Sequence, residues 1–476
     1  MTQINQWIDG EDVVGKDGIL PVINPATGKE IGQLSEASPE QVGQAVAAAR
    51  RSFDEGVWAQ TPMTERRAFM RRAAEAIRDN ATALWGKQVE EGGMIRAHVG
   101  NQIQGAANWF DYFADFLTLE AGETYWQFGS ATTLVEREPI GVCGLFSPWN
   151  VPVTLTAIKL APALAAGNSV VLKPSEETPI VTRMFTDIVN QAGLPKGVVN
   201  YINGRGQVSG AALAEHPDVD MVSFTGGHVG GTAVALAAAR RHVPCVMELG
   251  GKSATIVFED TDLEAALNGA AMMIYSSNGE ACLAGSRILV HESVAEEFLS
   301  GLREKADAMV VGDPTADGTH MGPMITKAHQ QRVLGFYDSA ADDRDKVLFG
   351  GAASDGAGFY VRPGAIQVAS GQSRVWREEV FGPLAAVTTF KDEAEAVALA
   401  NDSDFGLSGY IWTRDIGRAM RVSKKIRTGT VLINSGFMRE LNAPFGGYKG
   451  SGVGREGGYH SWMNFTEAKT TIINHG

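Results

Sequence analysis

The sequence has little cysteine, and its three thiols are not spaced as a pair. Cys143, Cys245 and Cys282 form no CxxC motif, which excludes a disulfide framework and a zinc cluster of the usual spacing. The nine histidines include no HExxH pattern, so no metal site is predicted. Low cysteine usage without pairing fits a reducing compartment, and the cytoplasm is the predicted location.

Basic tracts and long apolar runs are also missing. Lys and Arg number 41 against 55 Asp and Glu, a formal net charge of −14, which argues against nucleic-acid or anionic-membrane partners. The most apolar region, residues 157–172, is interrupted by Lys159, Pro162 and Asn168 and falls short of a membrane span. No basic segment precedes an apolar one at the N-terminus, so no signal peptide is predicted. We expect a soluble intracellular protein.

Short β-rich runs alternate with helical periodicity from residue 140 onward, which predicts βαβ crossovers and mostly parallel sheets. The predicted strands up to the middle of the chain are 140–146, 169–173, 198–202, 219–224 and 243–247, with helices 153–166, 179–192, 208–215 and 232–241 between them. Helices are also predicted at 39–54, 64–91 and 102–119, edge strands at 130–138 and 468–474, and surface connections at 312–382.

One cysteine lies in a different context from the other two. Cys143 and Cys245 are set in apolar runs, as small buried residues are. Cys282 lies among glycines and polar residues, between a helical run at 263–276 and a β-rich run at 288–290. A thiol in such a loop is a candidate nucleophile.

A glutamate upstream of this loop ends an apolar run and is followed by two glycines. The Glu248 carboxylate should therefore project from a strand end where a ligand can approach the backbone closely. A solvated glutamate at a turn fits the same pattern, so the residue alone does not distinguish a ligand-facing carboxylate from a solvent-exposed one.

Seven motifs in a fixed order resemble the aldehyde dehydrogenase superfamily. They are SPWN at 147–150, KPSEETP at 173–179, FTGG at 224–227, MELGGKS at 247–253, NGEACLAGSR at 278–287, EEVFGP at 378–383 and PFGGYKGSG at 444–452. Any one motif is weak, but the ordered set is highly specific. The resemblance implies an α/β fold with a Rossmann-like cofactor domain, an α/β catalytic domain, mostly parallel sheets and a small β oligomerisation arm.

The resemblance implies three catalytic groups. Cys282 would attack an aldehyde to give a thiohemiacetal and later a thioester, which water activated by Glu248 would hydrolyse to the carboxylic acid. The Asn150 amide and the backbone N–H of Cys282 would hold the oxyanion. A thiol of ordinary pKa, ~8.5, is only a few per cent thiolate at pH 7, so we expect Cys282 to be activated by its surroundings or by Glu248.

The resemblance also implies a dinucleotide site, although no GxGxxG fingerprint is present. The loop 225–231 puts small residues at a helix N-terminus, where a pyrophosphate is stabilised. Without the resemblance, the same residues would be interpreted as an ordinary glycine-rich turn. The family more often has serine at Gly227, and His228 is a further departure. A Glu176 carboxylate would repel a 2′-phosphate, so NAD is expected over NADP. The residues that match cofactor positions are Trp149, Lys173, Ser175, Glu176, Phe224, Thr225, Gly226, Gly227, Leu249, Glu379 and Phe381.

The sequence leaves two interpretations of the substrate site open. Arg439 stands at a position that is aromatic in many relatives, and an arginine there resembles the pattern of the muconic-semialdehyde dehydrogenases. Its guanidinium could bind a substrate carboxylate bidentately, or it could form a structural pair with Glu440 or another acid. Asp111 stands where those relatives often place a second arginine. An apolar tunnel for aromatic or aliphatic aldehydes would instead be lined by Val151, Thr154, Leu155, Ile158 and Phe445.

The resemblance divides the chain into three parts. Residues 1–118 and 140–249 are predicted to form the NAD-binding domain, 250–450 the catalytic domain, and 119–139 with 466–476 the arm, so a homodimer or homotetramer is expected. A CoA-acylating semialdehyde dehydrogenase, a thiol esterase or hydrolase, and a catalytically silent relative are the alternatives. The CoA-acylating enzyme would use the same thiol, but Glu248 favours hydrolysis by water. A thiol esterase or hydrolase needs no dinucleotide, so tight NAD binding would count against it.

Overall fold

The computed structural model describes residues 2–352, 357–436 and 438–476. Two large sheets, three small sheets and the helices that cover them make up this part of the chain. No helix among the described residues is both long and apolar enough to cross a bilayer.

The strands are numbered in chain order. They are β1 (Thr2–Ile4), β2 (Gln6–Ile8), β3 (Glu11–Val13), β4 (Ile19–Asn24), β5 (Lys29–Ser35), β6 (Glu123–Tyr125), β7 (Ala131–Pro139), β8 (Val142–Ser147), β9 (Ser169–Pro174), β10 (Val199–Tyr201), β11 (Met221–Thr225), β12 (Cys245–Glu248), β13 (Ala254–Val257), β14 (Arg287–His291), β15 (Lys346–Phe349), β16 (Gly364–Gln367), β17 (Leu384–Phe390), β18 (Phe405–Gly406), β19 (Ser408–Trp412), β20 (Thr430–Ile433), β21 (Tyr448–Lys449), β22 (Gly452–Val453) and β23 (Thr466–Asn474).

The α-helices are numbered in the same way. They are α1 (Pro39–Asp54), α2 (Met63–Asp79), α3 (Ala81–Gly92), α4 (Arg96–Phe116), α5 (Pro152–Ala166), α6 (Pro179–Gln191), α7 (Ala211–Glu215), α8 (His228–Arg241), α9 (Leu263–Tyr275), α10 (Ala295–Asp307), α11 (Lys327–Asp342), α12 (Arg374–Arg377), α13 (Glu393–Asn401), α14 (Ile416–Lys425) and α15 (Gly458–Asn464).

The first large sheet has eight strands in the order β22-β12-β11-β8-β9-β10-β2-β3. Its five central strands run parallel, as the alternation predicts, and antiparallel strands close both edges. Helix α5 is apolar on almost every side and is buried against β8, β9 and α4, as expected of an internal helix. Parallel strands bring their carboxyl ends to one edge, so the residues after β8, β11 and β12 are neighbours.

The second large sheet has seven strands in the order β15-β16-β17-β14-β13-β19-β20. All of its pairs are parallel except β15 with β16. The strand β14 follows the loop that contains Cys282, and β13 follows the two glycines after Glu248. The second sheet therefore positions the thiol, while the first positions the carboxylate.

The predicted edge strands pair with each other within the chain. Strand β23 lies antiparallel to β7, from Thr466 opposite Pro139 to Asn474 opposite Ala131, and β6 adds a third strand. Beyond Thr466 every residue of β23 is exposed. Among the described residues, β23 has no partner on its other side, so the small sheet has an open edge.

Two of the predicted elements are wrong. The helix predicted at 64–91 is two helices, α2 and α3, because the chain turns at Asn80, where its side-chain amide donates to the Ala76 carbonyl at 2.9 Å. Residues 312–382 are not only surface connections, because this section contains α11, α12, β15 and β16. The buried residues Val333, Phe336 and Ala340 give α11 the helical periodicity that the high glycine and aspartate content obscured.

Candidate functional site

The predicted catalytic carboxylate and amide lie at the carboxyl edge of the eight-stranded sheet. Glu248 is the last residue of β12 and stands opposite Thr225, the last residue of β11. Asn150 follows the end of β8 and precedes α5. The alternating strand pattern therefore accounts for their proximity, since all three strands are parallel neighbours.

The thiol comes to these groups from the other sheet. Cys282, Glu248 and Asn150 all line one cavity of ≈ 770 Å³ between the two sheets. Two glycines allow this approach: a Cβ on Gly250 would collide with the Glu379 carboxyl group, and a Cβ on Gly251 would collide with the Cys282 carbonyl. The glycines after Glu248 are thus explained by close contacts across the cavity.

The Asn150 amide is fixed by a backbone carbonyl. Its Nδ2 donates to the Glu280 carbonyl at 2.9 Å. A primary amide carries two N–H groups, so this bond orients the side chain and leaves a second N–H for another oxygen. The Asn150 side chain is buried, at 7% exposure, where a directed donor is more effective than in water.

Glu248 is a buried acid without a direct hydrogen-bond partner. It is 4% exposed, and neither carboxyl oxygen has a partner among the described residues. Burial raises the pKa of Glu248 well above its ordinary value, and nearby Glu456 acts in the same direction. The positive charges of Lys159, Arg439 and Arg455 oppose this shift without reversing it. Glu248 therefore holds its proton more tightly than an exposed glutamate.

The surroundings of Cys282 do not activate it as we expected. Burial raises the pKa of the thiol to about 12, and the carboxyl groups of Glu379 and Glu248 act in the same direction. Arg439 and the residue's own backbone N–H lower the pKa. Part of the Cys282 surface remains open to the cavity, and water there screens these charges. Activation by the protein environment is the part of the expectation that is wrong, and a proton acceptor is still required.

A second cavity, ≈ 420 Å³ in volume, adjoins the first and contains most of the predicted cofactor residues. Both cavities are lined by Trp149, Thr225, Gly226 and Gly227, so they form one continuous cleft. The second cavity is also lined by Lys173, Ser175, Glu176 and Phe224, whereas the first is also lined by Leu249, Glu379 and Phe381. The geometry brings together all eleven residues that match cofactor positions.

The glycine-rich loop has room for a ligand. Gly227 precedes the first turn of α8, and a Cβ placed on it would meet no atom within 4 Å. The absence of the family's serine hydroxyl therefore leaves open space, with the free N–H groups of a 14-residue helix behind it. His228 opens this helix, and its ring contacts the Phe405 ring edge-on at 5.0 Å between centroids.

Glu379, a second buried acid in the same cavity, differs from Glu248 in having a hydrogen-bond partner. Glu379 accepts from the Gly251 N–H at 2.8 Å, and burial raises its pKa to about 7. Phe381 has a left-handed backbone, φ 55°, and its ring lies edge-on to the Trp149 ring at 5.3 Å. A phenylalanine in this conformation is strained, and such strain is concentrated at functional sites.

The Arg439 guanidinium lies between two aromatic rings and is not paired with any acid that the structure describes. Its carbon is 4.5 Å from the centroid of the Phe445 ring and 5.2 Å from that of the Trp109 ring. Nε and Nη2 are buried and have no hydrogen-bond partner among the described residues. The alternative of a structural pair with Glu440 is therefore not observed in this part of the chain. Asp111 points elsewhere, because it is paired with Arg71 and Arg78.

The predicted tunnel residues on α5 do not all face the cavity. Leu155 lines it, whereas Ile158 is 1% exposed and belongs to the hydrophobic core. The Thr154 hydroxyl donates to the Gln102 carbonyl at 2.7 Å, and Val151 packs against the same core as Ile158. Ile158 thus supports the wall from behind and is not part of its surface.

Comparisons with known proteins agree with this arrangement. The model of the aldehyde dehydrogenase family matches residues 11–471. The chain belongs to the aldehyde dehydrogenase family. It is therefore an oxidoreductase, and its α/β fold with mostly parallel sheets is the fold of that family.

Two curated relatives and one solved structure show how close the likeness is. The 5-carboxymethyl-2-hydroxymuconate semialdehyde dehydrogenase of Escherichia coli is 38% identical over 469 residues, which cover 97% of this chain and 99% of that protein. The 2-hydroxymuconic semialdehyde dehydrogenase of Pseudomonas sp. (strain CF600) is 38% identical over 487 residues, 99% of this chain and 100% of that protein. The betaine aldehyde dehydrogenase of Staphylococcus aureus, solved in complex with NAD⁺, superimposes with a TM-score of 0.98 at 35% identity over 99% of this chain and 95% of that chain.

A buried ion pair that the sequence does not predict lies near Glu248 in this aldehyde dehydrogenase. Lys159 Nζ donates to Glu456 at 2.7 Å and to the Ser223 hydroxyl at 2.8 Å, and the lysine side chain is fully buried. A signal was present, since Lys159 interrupts an otherwise apolar helix. A charge in that setting is almost always paired, but the sequence gives no indication of its partner, which lies 297 residues away.

Two residues of α11 that support the cofactor side of this aldehyde dehydrogenase were also missed. His329 Nε2 donates to the Phe381 carbonyl at 2.7 Å. Arg332 donates to the Val380 and Glu379 carbonyls, each at 2.7 Å. All three bonds hold backbone atoms, so no side-chain motif could have revealed them.

Proposed function

We propose that this aldehyde dehydrogenase oxidises an aldehyde to a carboxylic acid, with Cys282 as nucleophile and NAD as hydride acceptor. The observation that carries the proposal is the single cleft, in which Cys282, Glu248 and Asn150 share one cavity and the cofactor-matching residues line its continuation. Three chemically complementary groups drawn from two sheets meet there, which an accidental pocket would not require.

The residues along the cleft fit a dinucleotide. Gly227 and the first turn of α8 offer free N–H groups and open space for a pyrophosphate. Lys173 Nζ lies 3.2 Å from the Glu176 carboxylate, so this pair would hold the adenosine ribose hydroxyls, and the carboxylate would repel a 2′-phosphate. Glu379 and Phe381 would hold the nicotinamide ribose and flank the ring. When bound, the nicotinamide supplies the acceptor for the hydride that leaves the substrate carbon.

The chain's own residues supply the covalent chemistry. The Cys282 thiol gives its proton to the ionised Glu248 carboxylate, which passes it to solvent, and the sulfur adds to the aldehyde carbon. The oxygen that becomes negative is held by the free N–H of Asn150 and the backbone N–H of Cys282. Each oxyanion donor of this kind contributes about 2.7–4 kcal/mol to transition-state stabilisation. Loss of hydride from the thiohemiacetal leaves a thioester on Cys282.

Glu248 then serves the hydrolysis of the thioester. Its ionised carboxylate takes a proton from water, which attacks the acyl carbon and releases the carboxylic acid and the thiol. Because burial raises the pKa of Glu248, the carboxylate is a stronger base than an exposed glutamate once it has lost its proton. The Lys159–Glu456 pair beside it keeps two further charges in the same buried region.

A carboxylated semialdehyde is the substrate class that the site supports best. The Arg439 guanidinium is buried and lacks an acidic partner among the described residues, so a substrate carboxylate would complete its hydrogen bonds. Two relatives at 38% identity carry names of muconic semialdehyde dehydrogenases. A quaternary ammonium substrate is disfavoured, because the Trp109 and Phe445 rings that could hold a cation are already covered by Arg439.

Assembly into a homodimer or homotetramer through the arm also belongs to this proposal. The open edge of the arm sheet and the exposed side chains of Trp126 (73%), Phe128 (65%) and Ile472 (67%) support it. The cytoplasm remains the predicted compartment, consistent with three free thiols.

Reduced-nicotinamide absorbance, measured with a panel of carboxylated, neutral and cationic aldehydes and with NAD or NADP, tests the activity. We expect the wild type to form NADH and Cys282→Ala to form none. We expect Glu248→Gln to slow turnover far more than it weakens NAD binding. Formation of the product without added CoA separates hydrolysis from acylation of CoA. Tight NAD binding without turnover of any aldehyde would favour a silent relative.

A further inference from the structure

The loop before the nucleophile follows an unfavourable backbone path. Ser277, Asn278 and Gly279 have φ of 50°, 59° and 71°, three successive left-handed residues. Only glycine adopts this conformation readily, so contacts from outside the loop must hold Ser277 and Asn278 in place.

Two buried side chains fasten this loop to residues 322–325. Asn278 Oδ1 accepts from the Gly322 N–H at 2.8 Å, and its Nδ2 donates to the Pro323 carbonyl at 3.0 Å. Glu280 Oε1 accepts from the Ile325 N–H at 2.9 Å. Glu280 is 0% exposed, although it carries an ionisable group that the proposed reaction does not use.

Glu280 is also where the loop meets the oxyanion hole. Its backbone carbonyl accepts the Asn150 Nδ2 bond at 2.9 Å, and the Cys282 N–H follows two residues later. The position of the Glu280 backbone therefore sets the direction of both oxyanion donors. A displacement of this residue would move both donors together, while the substrate cavity around them stayed intact.

We propose that Glu280 is a positioning residue for the oxyanion hole, whose side chain, by accepting the Ile325 N–H, holds the carbonyl that orients Asn150. The proposal rests on the proposed function, because the oxyanion it serves forms only if Cys282 attacks an aldehyde.

In this proposal the Glu280 side chain needs its length and an acceptor oxygen to reach the Ile325 N–H, and it does not need a negative charge. Oε2 is buried and has no hydrogen-bond partner among the described residues. His329 Nε2 is 3.8 Å from Oε1, too far for a hydrogen bond, and burial lowers the pKa of His329, so no cation balances a carboxylate here. Burial raises the pKa of Glu280 well above its ordinary value. A glutamine has the same length and keeps the acceptor, whereas an aspartate is one methylene too short.

The experiment compares Glu280→Ala, Glu280→Asp and Glu280→Gln with the exposed control Glu297→Ala. We expect Ala and Asp to lower kcat about 10- to 100-fold with KM changed less than about threefold, since loss of a whole oxyanion donor lowers kcat about 10²–10³-fold. Gln should recover kcat to within about threefold of the wild type. Alkylation of Cys282 by iodoacetamide, without NAD or aldehyde, should be at least about threefold faster in Ala and Asp, because the released loop exposes the thiol.

Each outcome decides the proposal. If Gln is as impaired as Ala, Glu280 acts as an acid or base and the proposal is wrong, and it is equally wrong if all three variants match the wild type. If wild-type protein oxidises no aldehyde, the proposed function fails, and the alkylation rates alone decide whether Glu280 holds the loop. Thermal denaturation checks folding, and the Asp variant replaces Ala if Ala does not fold.

Discussion

At the residue scale, burial raises the pKa of the Cys282 thiol and of the Glu248 carboxyl group, while one nearby cation, Arg439, lowers the pKa of both. Arg439 lowers the pKa of Cys282 and of Glu248 while having no acidic hydrogen-bond partner among the described residues. The guanidinium therefore has two roles in this account. We propose that it binds the substrate carboxylate, and its charge favours loss of the protons of Cys282 and Glu248.

Replacing Arg439 with glutamine tests both roles. We expect kcat/KM for carboxylated aldehydes to fall roughly 10- to 100-fold more than for neutral ones, since a hydrogen bond to a charged group contributes about 1.5–3 kcal/mol. The pH at which Cys282 is half-alkylated should rise, because a positive charge that lowers the thiol pKa is lost. Arg414→Gln, at an exposed position, is the matched control. An equal loss for acidic and neutral aldehydes would eliminate the carboxylate clamp.

The convergence of Cys282, Glu248 and Asn150 in one cavity could be predicted from the sequence, and the pKa values of Cys282 and Glu248 could not. Cys282, Glu248 and Asn150 each stand in a motif that resembles the family, so their meeting was an expectation before the fold was known. The raised pKa of Cys282 comes first from burial and then from the charges of Glu379 and Glu248, which lie in other parts of the chain. Burial and distant charges decide a pKa, and neither can be read from local sequence.

At the element scale, one buried acid connects two helices near the cofactor cleft. Glu91, at the end of α3, accepts from the Ile180 N–H at 2.6 Å and from the Val181 N–H at 2.9 Å. These donors belong to the first turn of α6, whose own N-cap residue, Thr178, makes no side-chain cap bond. Glu91 thus caps a helix from outside, and α6 directly follows the segment that holds Lys173 and Glu176.

This cap predicts a pH dependence of stability. Burial raises the pKa of Glu91 to about 8 from an ordinary 4.5, so the folded chain keeps a proton that the unfolded chain loses. The stabilisation is complete below the unfolded pKa and is lost as the pH rises toward about 8. We expect Tm to fall between pH 5 and pH 8, and to fall less in Glu91→Gln, which cannot ionise. Differential scanning calorimetry at both pH values checks this, with the exposed Glu65→Gln as control; equal slopes in all three proteins would contradict it.

Which elements could be predicted depends on how regular their sequences are. The strands β8, β9 and β11 are short apolar runs between helices, and their predicted positions agree with the structure within about two residues. Helix α11 was missed because glycine and aspartate surround it, and the break between α2 and α3 was missed because the apolar period continues through Asn80. In both cases tertiary packing outweighs local pattern.

At the scale of the whole molecule, the site exists because two sheets face each other. The eight-stranded sheet contributes Glu248 and Asn150, and the loop before β14 in the seven-stranded sheet contributes Cys282. The division into an NAD-binding domain, a catalytic domain and an arm remains a prediction. The partner of Lys159 shows what sequence could not supply, because Glu456 lies far along the chain and meets it only in the folded molecule.

The arm provides a prediction about assembly. Ile472 on β23 is 67% exposed on a strand that pairs only on one side. If the arm joins subunits, Ile472→Lys should place a charge in an interface and shift the protein to a smaller species. Light scattering coupled to size-exclusion chromatography measures the mass. Lys305→Ala, at the surface of α10, is the control, and an unchanged mass in both variants would remove this face of the arm from the interface.

The most direct measurement of the central claim is mass spectrometry of Glu248→Gln after incubation with NAD and an aldehyde substrate. With hydrolysis slowed, the account predicts that the peptide containing Cys282 gains the mass of the acyl group, in step with one equivalent of NADH, and that Cys282→Ala shows neither signal. NADH formed without an acyl group on Cys282, or with the acyl group on Cys143 or Cys245, would contradict it.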